Sequence, residues 1–220
     1  PQATAVALPD GVEDRLGACI GIPGITAHRA VFSDGPVAGK TVLVHGVLGS
    51  VSSLAAQLAT WAGATVIGTV TRETDVDRVD ARSVGHVVAL EGDHADDEIR
   101  RHAPDGVDRI VEVAFSDNID LDAAVAANDT VIAAYATRNS RPEIPFWTLL
   151  FANVTIRLLG SDDFSAAAKT QAATDLTAAA AAGALHIPVG TVYALSDIAA
   201  AHDHVDNGPR DGRILVRLDG

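Results

Sequence analysis

The stretch Thr41-Val-Leu-Val-His-Gly-Val-Leu-Gly-Ser-Val-Ser-Ser53 decides the fold. It opens on an aliphatic, β-branched run, the composition of a strand buried on both faces of a parallel sheet. Small residues follow, and from Ser50 the apolar side chains take up helical spacing until Gly63, a residue suited to ending a helix. A strand that turns through glycine directly into a helix aims the free N–H groups of the helix start at an anion. Gly46 and Gly49 suit a tight turn and a close approach of backbone to a diphosphate, whereas Ser50 and Ser52 stand where glycine would be safer. Taken alone, such a turn is structural as often as it is functional. Its weight comes from heading a regular alternation.

Outward from this turn, strands are expected at 65–70, 86–90, 107–113, 130–135 and 154–159. Helices are expected at 75–83, 94–103, 120–127 and 146–151, with a long Ala-rich helix over 165–182 capped by Ser165 and ended by Gly183. Short crossovers force parallel strands and right-handed connections. The expected fold is therefore α/β, a Rossmann-type doubly wound parallel six-stranded sheet in the order 3-2-1-4-5-6. Ligands on such sheets lie at the carboxyl ends of the strands where the order reverses, here strands one and four. Before the alternation, residues 1–8 read as extended, and short helices at 10–18 and 26–33 are split by Pro23 and Gly24. Further strands at 189–193 and 213–218 flank a helix at 196–205. The domain organisation expected is a flanking segment over 1–33, a nucleotide-binding domain over 34–188, and C-terminal strands and helix over 189–220.

The end of strand two sets the expected cofactor. An NAD site usually places Asp or Glu there to bond the ribose 2′-hydroxyl. This chain reads Thr69-Val-Thr-Arg72, with Glu73 behind. Arg72 can pair a 2′-phosphate through its planar fork, with Thr71 donating a hydroxyl, so NADP (NADPH) is favoured over NAD. The alternative is that Arg72 is a solvated loop residue and Glu73 takes the ribose.

Composition narrows the partners. A net charge of -13 repels phosphate backbones and anionic lipid, so neither nucleic acid nor a membrane surface is expected. No apolar run reaches the roughly 18 residues that span a bilayer. The single cysteine, Cys19, excludes an internal disulfide and a Cys-based zinc site and fits a reducing cytoplasm. A chain that begins at Pro1 and contains no Met is expected to be a processed chain or an excised segment, so a targeting signal or an N-terminal domain would not be visible. No metal site is expected, because the eight His do not recur at ligand spacing with an acid, and His202 and His204 read as surface residues. The Tyr-x-x-x-Lys pair of a short-chain dehydrogenase is absent, since Asn139 follows Tyr135 and Asp197 follows Tyr193. Gly35-Pro-Val-Ala-Gly-Lys-Thr41 imitates a phosphate-binding loop, but it is one residue short and precedes its strand, so it reads as a turn.

Several segments in order along the chain resemble the zinc-free quinone oxidoreductases, the zeta-crystallin-like branch of the medium-chain dehydrogenase/reductases. They are Leu8-Pro-Asp-Gly-Val12, Gly17-Ala-Cys-Ile-Gly-Ile-Pro23, Thr26-Ala-His-Arg-Ala30, Val44-His-Gly46 and Val66-Ile-Gly-Thr69, then Gly106-Val-Asp108, Pro145-Phe-Trp147, Asn153-Val-Thr-Ile-Arg157, Ala201-His-Asp203 and Gly212-Arg-Ile-Leu215. The resemblance implies a nucleotide-binding domain whose GroES-like partner is missing, with the short flanking segments belonging to that partner. It implies metal-free hydride transfer from NADPH to a quinone or enone, since Ile22 fills the place where zinc-type relatives carry a catalytic Cys and Cys19 lies outside it. It places Thr26 near the nicotinamide, Gly46, Leu48, Gly49, Ser50 and Val51 along the diphosphate, and Thr71 and Arg72 at the 2′-phosphate. Ala114 and Phe115 would flank the adenosine, and Tyr135, Ala136 and Thr137 the nicotinamide side. Family members commonly pair through the edge strand, here 154–159, so a homodimer is implied. The family usually has glycine at positions 50, 52 and 135, and often a Tyr where Leu90 stands. Serine at a position needing positive φ would cost about 1 kcal/mol or more. The isolated domain is therefore expected to be weakly active at most, with Tyr135 and His28 as candidate general acids or pocket walls. Two other readings fit the same residues: a non-catalytic Rossmann module kept for dimerisation, or an enoyl-reductase domain of a polyketide-type synthase.

Overall fold

The computed structural model describes residues 6–209 and 211–218. At its centre β1 (Thr41–Val44), β2 (Thr65–Val70), β3 (His86–Ala89), β4 (Val107–Glu112), β5 (Ala126–Ala134) and β6 (Thr155–Leu158) form one sheet. Its order is β3-β2-β1-β4-β5-β6, every pairing parallel, with the reversal between β1 and β4 as the alternation required. The helices are α1 (Asp14–Cys19), α2 (Ile22–Phe32), α3 (Ser50–Trp61), α4 (Ala95–His102), α5 (Phe115–Val125), α6 (Phe146–Phe151), α7 (Ala166–Ala181) and α8 (Ile198–Asn207). A separate two-stranded parallel sheet joins β7 (Val189–Ala194) to β8 (Arg213–Arg217). Among the described residues no helix is long and apolar enough to cross a membrane.

Side chains alternate across the strands and feed two cores. Val42 and Val44 face one side with Ala27 and Val31 of α2, Leu54 and Leu58 of α3, and Leu176 and Ala179 of α7. Leu43 faces the other with Ile99 of α4, Phe115, Ile119 and Ala123 of α5, and Leu149 of α6. On α7, Ala172, Leu176, Ala179 and Ala180 recur at helical spacing and are buried, so the Ala-rich tract is a packed helix. Its Ser165 cap is made, the hydroxyl accepting from Ala168 N at 3.2 Å.

Several boundaries differ from the sequence reading for local reasons. Pro23 and Gly24 do not split two helices but lie in the first turn of α2, where proline lacks only an N–H that the helix does not use. The helix expected at 75–83 is a 3₁₀ turn over Glu73–Arg78, and the one expected from 10 is confined to α1. The helix α5 begins at Phe115 rather than 120, because Glu112 satisfies the amide of Ala114 at its start. β5 then follows at once from Ala126, and its register shifts against β4 between Val107 and Arg109. The hydroxyl of Thr130 bridges the Val107 and Ala127 carbonyls at that irregularity. The false phosphate loop is a turn leading into β1, with Gly39 N donating to Gly63 O at 2.9 Å. Of the segment expected to be extended at the N-terminus, residues 1–5 lie outside the described residues, and Val6 to Leu8 form no strand.

One buried cation stabilises the first core. Arg109 of β4 is 1% exposed, and its guanidinium donates to the carbonyls of Val31 (2.6 Å), Ala30 (3.4 Å) and Asp34 (3.2 Å). A cation at the C-terminal carbonyls of α2 satisfies acceptors that the helix leaves open and complements its dipole. Asp34 is also forked by Arg157 of β6, which holds its carboxyl below the usual range.

Candidate cofactor site

The turn after β1 runs over the carboxyl end of the sheet where the strand order reverses. Gly46 has φ +62, a backbone conformation that favours glycine, and a Cβ there would press on the Val113 side chain at 3.3 Å. Gly49 caps α3 in extended conformation, and a Cβ on it would lie 3.1 Å from Gly46 O. No side chain caps this helix. The amides of Ser50, Val51 and Ser52, which have no acceptor within the helix, therefore face outward from the turn. Ser50 and Ser52 take helical backbone conformations, and among the described residues the non-glycine positions with positive φ are Asp129 and Asn153. The backbone strain expected if either serine needed positive φ does not arise.

Beneath the turn lies a polar cluster built from three elements. His45 is 0% exposed, and its Nε2–H donates to Asp122 Oδ1 of α5 at 2.9 Å, with Glu112 Oε2 at 3.6 Å. On the other side His45 Nδ1 lies 3.0 Å from Thr69 Oγ1, and the same hydroxyl accepts from Gly46 N at 3.1 Å. Thus α5 is linked through one imidazole and one threonine to the glycine of the turn. Glu112 completes the cluster by accepting from Ala114 N and from Asn118 Nδ2. Burial by itself would lower the His45 pKa, but the Asp122 carboxylate, with Glu112 behind it, outweighs burial and raises it. Burial raises the Glu112 pKa. The ligand atoms of His45, Glu112 and Asp122 lie within 4.8 Å of one another, a grouping able to hold a metal ion. No local spacing announces it, because its members come from the turn after β1, from β4 and from α5. The signal available was polar residues standing in or beside strands otherwise made of Val, Ile and Leu.

The remaining expected site residues are distributed around this centre. Leu48 and Gly49 are exposed at the turn, and Val51 is half-buried. Thr71 and Arg72 are exposed at the end of β2, where Arg72 forks onto Asp75 through Nε (3.0 Å) and Nη2 (3.4 Å). Ala114 is half-exposed, while Phe115 turns its ring into the second core and is 5% exposed. Tyr135 leaves β5 and packs on the first core, its hydroxyl 2.8 Å from Ser52 Oγ. Burial pushes its pKa up to about 12. Ala136 and Thr137 are exposed, and this loop is tied to the start of α5 by Phe115 N to Ala136 O at 3.1 Å. Thr26 is buried on α2, its hydroxyl donating to Ile22 O at 2.9 Å. His28, the other candidate acid, bonds Asp175 Oδ2 at 2.7 Å, and burial lowers its pKa. His202 is exposed, but His204 is half-buried, its Nδ1 2.9 Å from the Tyr193 hydroxyl. A cleft of ≈ 350 Å³ opens between the starts of α4 and α5, lined by Leu90, Asp93, Asp96, Asn118 and Leu121 among others.

Comparison with known proteins places this geometry in a family. Residues 62–216 match the family described as zinc-binding dehydrogenase. A quinone oxidoreductase of Pongo abelii is 29% identical over 98% of this chain and 66% of its own length. The chain thus spans about two thirds of the curated relatives that it matches. Among solved structures, a 2-haloacrylate reductase superposes with a TM-score of 0.87 at 21% identity, over 98% of this chain and 70% of the other. A mycobacterial protein solved with NADPH superposes with a TM-score of 0.81 at 24% identity, over 98% and 70%. The chain belongs to the zinc-binding dehydrogenase family of the medium-chain dehydrogenase/reductases, as a nucleotide-binding domain of its quinone-oxidoreductase branch.

Proposed function

We propose that this chain is the NADPH-binding part of an oxidoreductase that passes hydride to a quinone or another conjugated carbonyl without a metal ion. The observation that carries the reading is the uncapped start of α3 behind Gly46 and Gly49, at the point where the strand order reverses. The half-unit of positive charge at a helix start, added to unused amides, suits a diphosphate. Gly46, Leu48, Gly49, Ser50 and Val51 would hold it. Arg72 with Thr71 would receive the 2′-phosphate at the end of β2. Adenosine would lie toward Ala114, where Phe115 contributes backbone only. Thr26, Tyr135, Ala136 and Thr137 would border the nicotinamide. The bound cofactor supplies the hydride, and the chain supplies orientation and shelter from water. The quinone oxidoreductase relatives and the NADPH complex of a structural neighbour support the assignment.

The proposal extends to organisation. The first 33 residues and those after 188 would border a catalytic domain, with 34–188 forming the nucleotide unit. Two chains would pair through β6, beside which Phe146, Trp147, Phe151 and Leu158 are 54%, 67%, 74% and 76% exposed. The buried free thiol of Cys19 suits the reducing cytoplasm.

Titration of the purified chain with NADPH and NADH, followed by calorimetry, tests the function. Saturation by NADPH below millimolar, with NADH weaker, is expected. A folded chain that stays silent at millimolar NADPH ends the reading, and a dimer by solution mass with that silence would favour the module instead.

A further inference from the structure

We infer that Gly68 and Thr69, near the end of β2 and unused by the proposed function, form the seat that positions the diphosphate turn, with Thr69 as the positioning residue. The inference rests on the cofactor reading above, and it concerns how the turn is held rather than which atoms meet the ligand.

The turn crosses the end of the sheet, and its amides divide between the two strands that flank β1. His45 N donates to Val111 O of β4 at 3.0 Å. The next two amides both go to one residue of β2. Gly46 N donates to Thr69 Oγ1 at 3.1 Å, and Val47 N donates to Thr69 O at 3.0 Å. The buried side chain of Val47 then lies over Gly68, where a Cβ would stand 2.6 Å from Val47 Cγ1 and 2.9 Å from Val84 Cγ1. Glycine at 68 therefore supplies space for the turn. Gly49 N closes the turn onto Gly46 O at 2.8 Å. With these amides held inward, those of Ser50, Val51 and Ser52 are left to meet a diphosphate.

The Thr69 side chain suits this place by its chemistry. A hydroxyl offers two lone pairs and one proton. Thr69 is 0% exposed, so these are spent inside the protein. The Gly46 amide takes one lone pair. The other partner is His45 Nδ1 at 3.0 Å, in a ring fixed on its far side by Asp122. A neutral imidazole accepts the threonine proton at Nδ1, and an imidazolium donates its own proton there instead. The Gly46 amide keeps its acceptor in either state. Valine has the same shape and no acceptor, so it would leave this amide without the hydroxyl. Glycine can adopt many conformations, and the hydroxyl selects the one with φ +62 that sets where the start of α3 faces. Thr69 touches no ligand in this arrangement and acts through Gly46.

The test is calorimetric titration of the whole chain and its Thr69→Val, Thr69→Ser and Gly68→Ala variants with NADPH and with NADH, each variant checked for native circular dichroism. Both cofactors carry the diphosphate, so Thr69→Val is expected to weaken each by roughly tenfold. Gly68→Ala, which displaces Val47 and keeps the hydroxyl, is expected to weaken both as well. Thr69→Ser keeps the hydroxyl and loses a methyl group, and it is expected to bind both within about twofold of the natural chain even where its melting temperature falls. If Thr69→Val binds both cofactors as the natural chain does, the hydroxyl does not set the turn, and the inference falls with the cofactor reading intact. Loss of NADPH alone overturns it too, because the change then travels along β2 to Thr71 and Arg72. A Thr69→Ser chain as weak as Thr69→Val assigns the effect to packing and overturns it again. Should a variant fail to fold, hydrogen exchange of the natural chain decides: a slowly exchanging Gly46 amide without ligand supports the seat, and a rapidly exchanging one removes it. A natural chain that binds neither cofactor removes the cofactor reading and the inference together.

Discussion

The two halves of the sheet end in different ways. Past β1 and β2 the chain exposes backbone and a cation: the turn from Gly46 to Gly49, the uncapped start of α3, and the guanidinium of Arg72. Past β4 and β5 it turns side chains inward: Glu112 and Phe115 are buried, and Tyr135 closes onto Ser52. Under the proposed function, the half that would take diphosphate and adenosine ribose is laid out for a ligand. The half that would take nicotinamide is lined by the protein's own phenol. Affinity should then come from the phosphate end, with the nicotinamide end contributing little or opposing. The halves are nevertheless joined, because the link from Asp122 through His45 and Thr69 to Gly46 runs from α5 under the turn.

Breaking that link gives the largest expected effect. Replacing His45 with Ala leaves the Asp122 carboxylate at 0% exposure, with Oδ2 already lacking a partner. Removing one member of a buried pair typically costs about 3–5 kcal/mol. Urea denaturation should register a loss of that size. A loss below about 1 kcal/mol would mean that the cluster is left with little uncompensated charge.

How far these halves could be foreseen also differs. The first was legible from local order: Val42 to Val44, glycine, and a helix from Ser50 specify a strand, a turn and an N-terminus within one short window. Arg72 was legible by its place after β2, but its commitment to Asp75 was not, because the 3₁₀ turn that brings Asp75 and Arg78 to it read as a helix. The second half depends on contacts between residues far apart in sequence. Phe115 follows strand four as a pocket residue should, yet its ring is directed by the start of α5, which Glu112 sets and no spacing reveals. Tyr135 was legible as an obstruction in place of the usual glycine. Its bond to Ser52 was not, since it arises only when β5 and α3 meet across the sheet end. The buried trio of His45, Glu112 and Asp122 was missed for the same reason. Periodicity reports which face a residue takes, whereas pairing between buried polar groups is fixed by the tertiary fold.

Opening the second half sharpens the contrast. Tyr135→Gly removes the ring and its bond to Ser52 while leaving the turn and Arg72 untouched. If the ring obstructs the nicotinamide, NADPH should bind roughly fivefold more tightly, a gain of about 1 kcal/mol. Adenosine 2′,5′-bisphosphate, which lacks the nicotinamide, should bind unchanged. An equal change for both ligands in calorimetry would place the effect in the fold and would end the contrast between the halves.

The smallest effect is a pH dependence confined to the link. The Asp122 and Glu112 carboxylates hold the His45 pKa above its ordinary value despite burial. A group whose folded pKa is raised contributes stability that is complete below its unfolded value, about 6.5 for His, and is lost as pH rises through the folded pKa. Glu112, raised by burial, acts with the same sign from about pH 4.5 upward. His28, lowered by burial, acts oppositely, and its contribution is lost as pH falls below about 6.5. The natural chain should therefore lose stability from about pH 6.5 upward, and His45→Gln should flatten that fall. Tyr135, pushed up to about 12, keeps its proton throughout, so its bond to Ser52 adds no slope. Thermal melts of the two chains at stepped pH would separate the cases. A slope that survives in His45→Gln would assign it to Glu112, and the charge under the turn would then be carried by a carboxyl group and not by the imidazole.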